Sequence, residues 1–318
     1  MTSSHPISAR VPGQSVGRTA RRRSRNGAGP AHSARIGMAF VTPFLLFLIV
    51  FQYIPIGMLV RNSFFDYTLL RPDDQKFVGL GQFERILADP SVTSTFGVTL
   101  LFALGVLVLV VPLGFLVAVF LNGRFPGRSI VRTIVFLPVV TSVAVTSTMW
   151  LFMLTKNGGL VNSAITGLGL QPVAFLTSIP WALISIIVMS AWQQIGFAAV
   201  LFLTGLQSVP DDVIEAARVD GASRARVIFS IILPLMSRTT LFVVITMTVF
   251  SLQAFAPAFL MTSGGPEDST SLVVYAIYNA AFKLQDPGFA SALAVAVMFI
   301  ALVLSGIQSL FLRTKWSY

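Results

Sequence analysis

Six stretches of mostly apolar residues, at 37–60, 97–121, 130–154, 180–206, 240–262 and 288–312, leave this chain few ways to fold. A helix needs about 20 such residues to cross the hydrocarbon of a bilayer. Lipid offers no partner to a bare backbone N–H or C=O, so each stretch is predicted to be helical. Only 11% of the 318 residues are charged and 55% are apolar, whereas soluble domains carry about 25% charged residues. The sequence therefore predicts an all-α polytopic membrane protein with six transmembrane helices, in one membrane domain at 37–318.

Residues 1–36 read differently. They hold seven arginines and no acid, mixed with Ser, Gly and Pro. Such a composition cannot bury a core, and a disordered basic tail is expected. Two roles suit it: contact with anionic lipid headgroups, or a solvated tail that only helps to set orientation. It is no secretory signal, because the apolar run after it is too long and no small-residue cleavage site follows. The net charge of +10 is concentrated here rather than on a folded face, so no nucleic-acid partner is expected. With the N-terminus placed inside, the inside segments hold sixteen Lys and Arg against six outside, and the acids divide four against eight. An excess of Lys and Arg marks the cytoplasmic side, so both termini are predicted to be cytoplasmic.

Several chemistries are excluded by what the chain lacks. It has no cysteine, and its two histidines, His5 and His32, both lie in the tail. That removes thiolate nucleophiles and any histidine-based metal site in the membrane; no metal and no catalytic group is expected. No G-x-x-x-x-G-K-[ST] phosphate loop occurs, so the chain has no visible means of using ATP itself. No Asp or Glu falls in any predicted span. Buried carboxylates serve proton relays and ion-coupled pumps. Their absence counts against an ion-coupled secondary carrier, which stays open as the alternative because sodium sites can use backbone carbonyls.

The loop at 207–238 carries the most information. Ser208 is a candidate N-cap. Pro210 suits a first helical turn, with Asp211 and Asp212 at its positive dipole end. Val213, Ala216 and Ala217 make a small apolar face. Gly221 stands where a left-handed C-cap belongs, and Ser223 can cap a second helix running to Pro234. This is a helix–turn–helix elbow presenting Glu215 and Arg218. On physical grounds alone an amphipathic linker on the membrane surface fits equally well.

The spacing then points to a family. Glu215-Ala216-Ala217, three residues, Gly221, nine residues, Ile231, one residue, Leu233-Pro234 resembles the EAA loop of binding-protein-dependent ABC importer permeases. Gly205-Leu206-Gln207 with Pro210 looks like the approach to that loop in the carbohydrate-type subfamily, which includes maltose and glycerol-phosphate transporter permeases. Arg132, Phe136-Leu137-Pro138, Trp150 and Gly159-Leu160-Val161-Asn162 resemble its third span and the following loop. Gly264-Gly265-Pro266, Thr270, Tyr278 and Ala281-Phe282 resemble its last external loop. Tyr53-Ile54-Pro55-Ile56 departs from the pattern, since the family has Pro directly after Tyr. Residues 313–318 look like the first of the two permease types that pair.

The resemblance implies a permease subunit in a bacterial inner (plasma) membrane, working by alternating access. It implies a second, homologous permease subunit, an external solute-binding protein, and a cytoplasmic ATPase dimer that binds ATP and Mg. The chain itself holds no cofactor. The coupling residues carried over are Glu215, Ala216, Ala217, Arg218, Asp220, Gly221, Ile231, Leu233 and Pro234, in an elbow that docks on the ATPase.

Polar groups deep in a span are costly and tend to face a cavity or a partner helix. Gln193 and Gln194 lie roughly 19 Å from the cytoplasmic end of their span, near the midplane. Ser251 and Gln253 lie at similar depth in the fifth span, and Thr141 and Ser142 in the third, just past Pro138, which is expected to kink it. With Trp192 and Phe255 they make an uncharged set of amide, hydroxyl and aromatic groups that suits a sugar. The plainer account is hydrogen bonding between helices. Gln193 and Gln194 stand about 100° apart on a helix, so both are not expected to face one lumen squarely.

Overall fold

The computed structural model describes residues 30–123 and 125–311, and the chain divides into two compact units, Met1–Ile54 and Pro55–Tyr318. Most of the predicted tail, Arg124 and the terminal residues 313–318 lie outside the described residues.

In the first unit, helix α1 (Pro30–Leu48) leads into a π-helical turn, Ile49–Tyr53. The helix begins at Pro30, inside the stretch assigned to the tail. The π turn falls where Tyr53-Ile54-Pro55 carries one residue more than the family pattern. A turn closed by i→i+5 bonds holds one extra residue; the Ile54 N–H bonds to the Ile49 carbonyl. The departure in sequence is thus absorbed without ending the helix.

Helix α2 (Ile54–Asn62) starts on the last residue of the first unit, and the second unit continues with a short antiparallel hairpin, β1 (Phe65–Thr68) and β2 (Arg71–Phe77), paired Phe65 to Phe77 and Asp66 to Lys76. An all-α reading missed this hairpin. Helix α3 (Gly81–Ala88) follows, and then α4 (Pro90–Asn122). Asp89 caps α4, accepting from the Ser91 N–H at 2.9 Å and the Ser91 hydroxyl at 2.7 Å. These bonds favour the ionised form and hold the Asp89 carboxyl below its ordinary pKa.

The third predicted span, 130–154, is not one helix. It is α5 (Arg128–Val140) and α6 (Val143–Leu154), bent by 99°. Pro138 lacks an N–H, and Thr141 and Ser142 both take extended backbone, with ψ of 145° and 134°. After α7 (Leu160–Gly167) comes α8 (Trp181–Leu206), matching the fourth predicted span. Then α9 (Asp211–Val219), α10 (Arg224–Arg226), a π turn Val227–Ile232 and α11 (Leu233–Leu235) form the elbow. The fifth predicted span is also interrupted. Helix α12 (Ser237–Leu252) stops, and a π-helical segment, Ala258–Thr262, resumes beyond Pro257. The chain returns through α13 (Val273–Tyr278) and a π turn, Asn279–Lys283, before α14 (Pro287–Phe311).

Among the described residues four helices are long and apolar enough to cross a membrane, and up to six spans result if each of two bent pairs counts as one: α5 with α6, and Arg224–Leu235 with α12, bent by 74°. The core lies between α4 and α8. Phe102, Val106, Val110 and Phe115 pack against Ile186, Met189, Ala198 and Phe202, with the Phe115 and Phe202 rings edge-on at 5.5 Å. Helix α5 crosses α8 at Gly196, where a Cβ would meet the Val135 carbonyl and stand 2.8 Å from Val139 Cγ2. Small residues let helix backbones approach in this way. The crossing sets the C-terminal end of α5, and so the break after it, on the midsection of α8.

Candidate functional site

Where the two interrupted spans meet α8, they enclose a cavity of about 490 Å³. Thr141 and Val143 line it from the break between α5 and α6. Ser190, Gln193, Gln194 and Phe197 line it from α8, and Phe250, Gln253 and Phe255 from the end of α12. No charged side chain is among the lining residues.

Gln193 has a structural task here. Its Nε2 donates to the Thr141 carbonyl at 3.1 Å and reaches Thr146 Oγ1 at 3.5 Å. Thr141 Oγ1 closes the break further, donating to the Pro138 carbonyl at 2.7 Å and lying 3.1 Å from Thr146 Oγ1. A backbone carbonyl freed inside a membrane needs such a partner.

Gln194 and Ser190 differ. They are one helical turn apart, both on the cavity wall, and Gln194 Oε1 and Ser190 Oγ are buried without a hydrogen-bond partner among the described residues. A buried polar atom left unpaired costs about 1–3 kcal/mol. Both atoms lie beneath the cavity wall, where a small turn of either side chain would let it bond a polar group in the cavity.

The structure thus brings Thr141, Gln193, Gln194, Gln253 and Phe255 together. Both glutamines reach the one cavity despite their 100° separation, because Gln193 lies buried at its α5–α6 edge and Gln194 opens onto it. Three other nominated residues are not on its wall. Ser251 is fully buried and donates back to the Met247 carbonyl at 2.8 Å. Trp192 turns outward, its ring 5.9 Å from Trp150. Ser142 is the N-cap of α6 and its side chain makes no capping bond. Ser190, Phe197 and Phe250 escaped sequence reading. Helical spacing from the glutamines, one turn before Gln194, one after Gln193 and one before Gln253, was the signal that could have found them.

The elbow forms largely as read. Gly221 has φ +80°, the Gly221 N–H bonds to the Arg218 carbonyl and the Ala222 N–H to the Ala217 carbonyl, each at 3.0 Å. This pair of bonds is a Schellman C-cap. Ser223 Oγ accepts from the Arg226 N–H at 3.3 Å and caps the second arm. Two details differ. Ser208 bonds back to the Gly205 carbonyl, and Pro210 holds the N-cap position of α9. The inward face of α9 is Ile214 and Ala217, while Val213 and Ala216 are exposed. Glu215 and Arg218 are exposed, and the second arm is anchored by buried Val227, Ile232 and Met236.

Known proteins resemble this chain in sequence and in fold. Residues 110–316 match the family described as binding-protein-dependent transport system inner membrane component. A probable ABC transporter permease protein of Bacillus subtilis, YurN, is 32% identical over 280 residues, covering 86% of this chain and 95% of its own. The multiple sugar-binding transport system permease protein MsmF of Streptococcus mutans is 32% identical over 86% of this chain and 93% of its own. The trehalose/maltose transport system permease protein MalF of Thermococcus litoralis is 31% identical over 86% and 91%. A solved bacterial ABC transporter involved in the import of the acidic polysaccharide alginate shares the fold, with a TM-score of 0.78 at 22% identity over 90% of this chain and 97% of that one. Interrupted apolar helices around an uncharged cavity, a helical elbow and these matches agree: the chain belongs to the binding-protein-dependent transport system inner membrane components, as a permease subunit of an ABC importer and a transport component rather than an enzyme.

Proposed function

We propose that this permease carries a sugar or sugar-like solute, delivered by an external binding protein, through the cavity between α8 and the two interrupted spans. The observation that carries the reading is the lining: three amides, two hydroxyls and three aromatic rings among small aliphatic residues, with no charge, in about 490 Å³. Amide and hydroxyl groups match sugar hydroxyls, and ring faces match the apolar face of a pyranose. An anionic solute would want Lys or Arg, which this wall lacks and the partner permease subunit would have to supply. The named sugar permeases among the relatives support the same class.

In this reading the chain crosses the membrane six times with both termini in the cytoplasm, the side favoured by the Lys and Arg distribution. A second, homologous permease subunit completes the pathway. The elbow, with Glu215, Ala216, Ala217, Arg218, Asp220, Gly221, Ile231, Leu233 and Pro234, docks on a cytoplasmic ATPase dimer that binds ATP and Mg. Closure of that dimer rocks the spans between outward and inward access. The test is uptake by the reconstituted complex. Uptake should require ATP, survive collapse of ion gradients, and be competed by neutral sugars but not by organic anions. Uptake driven by an ion gradient without ATP would remove the reading and restore the secondary carrier.

A further inference from the structure

The segment that returns after the fifth span carries rings that lead away from the cavity. Phe255 lines the cavity. Its ring stacks on Phe259 at 5.0 Å and 16° and meets Tyr278 at 5.3 Å. Tyr278 in turn meets Phe282 at 5.2 Å, and Phe282 is 67% exposed. The row runs without a gap from the cavity wall to the surface. Phe259 and Tyr275 back it. Tyr278 lies 5.2 Å from Phe259, and the buried Tyr275 is fixed by its hydroxyl, which donates to the Ser263 carbonyl at 2.9 Å.

Core packing accounts for Phe259 and Tyr275. It does not account for a row of three rings whose one end is a cavity and whose other end is exposed. An interfacial aromatic belt would account for Phe282, but such a belt has no need of an inner end on the cavity. We propose that Phe255, Tyr278 and Phe282 form an aromatic track along which a pyranose ring passes between the outer surface and the cavity. The C–H face of a pyranose is apolar and stacks on aromatic rings while its hydroxyls stay in water. Steps of 5.3 and 5.2 Å let it move from ring to ring without leaving aromatic surface. The inference rests on the sugar reading for its ligand and on the outward placement of residues 263–287 for its direction.

The chain has no cysteine, so Phe282→Cys, Tyr278→Cys and Phe255→Cys each introduce a single thiol. Co-purification of the ATPase subunit checks that each variant has assembled. In vesicles, a membrane-impermeant methanethiosulfonate added outside is expected to label position 282 fastest, then 278, then 255, and maltose or trehalose is expected to slow labelling at 278. Uptake of the protecting sugar should show KM raised about 2- to 12-fold in Tyr278→Leu, with kcat unchanged and Tyr278→Phe near normal. If 278 and 282 react only with a lipid-soluble maleimide, the row is a lipid-facing belt and the track is overturned. If 278 reacts with neither reagent, it is packed core and the track is overturned. Labelling from outside that no imported sugar slows overturns the track alone, because the sugar reading stands or falls on the uptake competition.

Discussion

The Gln193 amide donates to a carbonyl that the break at Thr141 has released from the backbone ladder. The next residue, Gln194, lines the same cavity and keeps a buried, unpartnered oxygen. Neighbours of one residue type therefore predict different mutants. Gln193→Leu strips the Thr141 carbonyl of its donor, at a cost of about 1–3 kcal/mol, and should lower the Tm of the purified complex as well as uptake. Gln194→Leu relieves an unpaired atom, so the complex should be as stable as the parent while the KM for the solute rises. Ser190→Ala should behave as Gln194→Leu does, more mildly. Thermal unfolding and uptake kinetics on the same preparations separate the two classes. Equal loss of stability in all three would assign the whole cluster to helix packing. Polarity at the membrane midplane was readable in the sequence. Which glutamine holds the helix and which faces the cavity was not, because that depends on α5 crossing α8 at Gly196.

Two elements define the site, and they were legible to different degrees. The turn of the elbow was readable, because its signals are local: acids in a first turn, a left-handed Gly at 221, a capping Ser at 223; its first cap and its inward face, Ile214 and Ala217, were not. A kink past Pro138 in the third span was readable, but its size of 99° was not, and neither was the break in the fifth span, although Pro257 stood in view. Apolar composition continues across both breaks, and hydropathy measures length without direction. The elbow also allows the sharper test. A Cβ at Gly221 meets no heavy atom within 4 Å, so within this chain a substitution costs only the left-handed conformation, about 1–2 kcal/mol. Gly221→Asn largely avoids even that cost, since Asn tolerates this turn. If the elbow seats in a close-fitting cleft of the ATPase, Gly221→Asp should release the ATPase or uncouple hydrolysis from uptake, and Gly221→Asn should weaken co-purification by bulk alone. Glu215→Ala should have a milder effect, through a carboxylate desolvated at the interface. A Gly221→Asp complex that keeps its ATPase and transports at the parent rate would remove docking as the coupling step.

At the scale of the whole molecule, orientation decides which end of the cavity opens first and which face meets ATP. The bias that sets it is counted in Lys and Arg near the span ends. In the proposed orientation the tail supplies seven of the sixteen residues on the inside, and its composition is expected not to support packing. Removing residues 2–29 takes away six arginines and leaves ten on the inside against six outside. The bias is narrowed but keeps its sign, and the span helices α4, α8 and α14 are untouched. The truncated chain is therefore expected to insert the same way up and to import at a near-normal rate. Single cysteines decide it. Asp73→Cys, exposed on the hairpin, should react with an impermeant thiol reagent added outside intact cells, and Val219→Cys, 88% exposed on the elbow, should react only after permeabilisation. The same pattern is expected in full-length and truncated chains. Reversed labelling in the truncated chain alone would make the tail the determinant of topology. Reversed labelling in both would put the elbow outside the cell, where no ATPase could meet it.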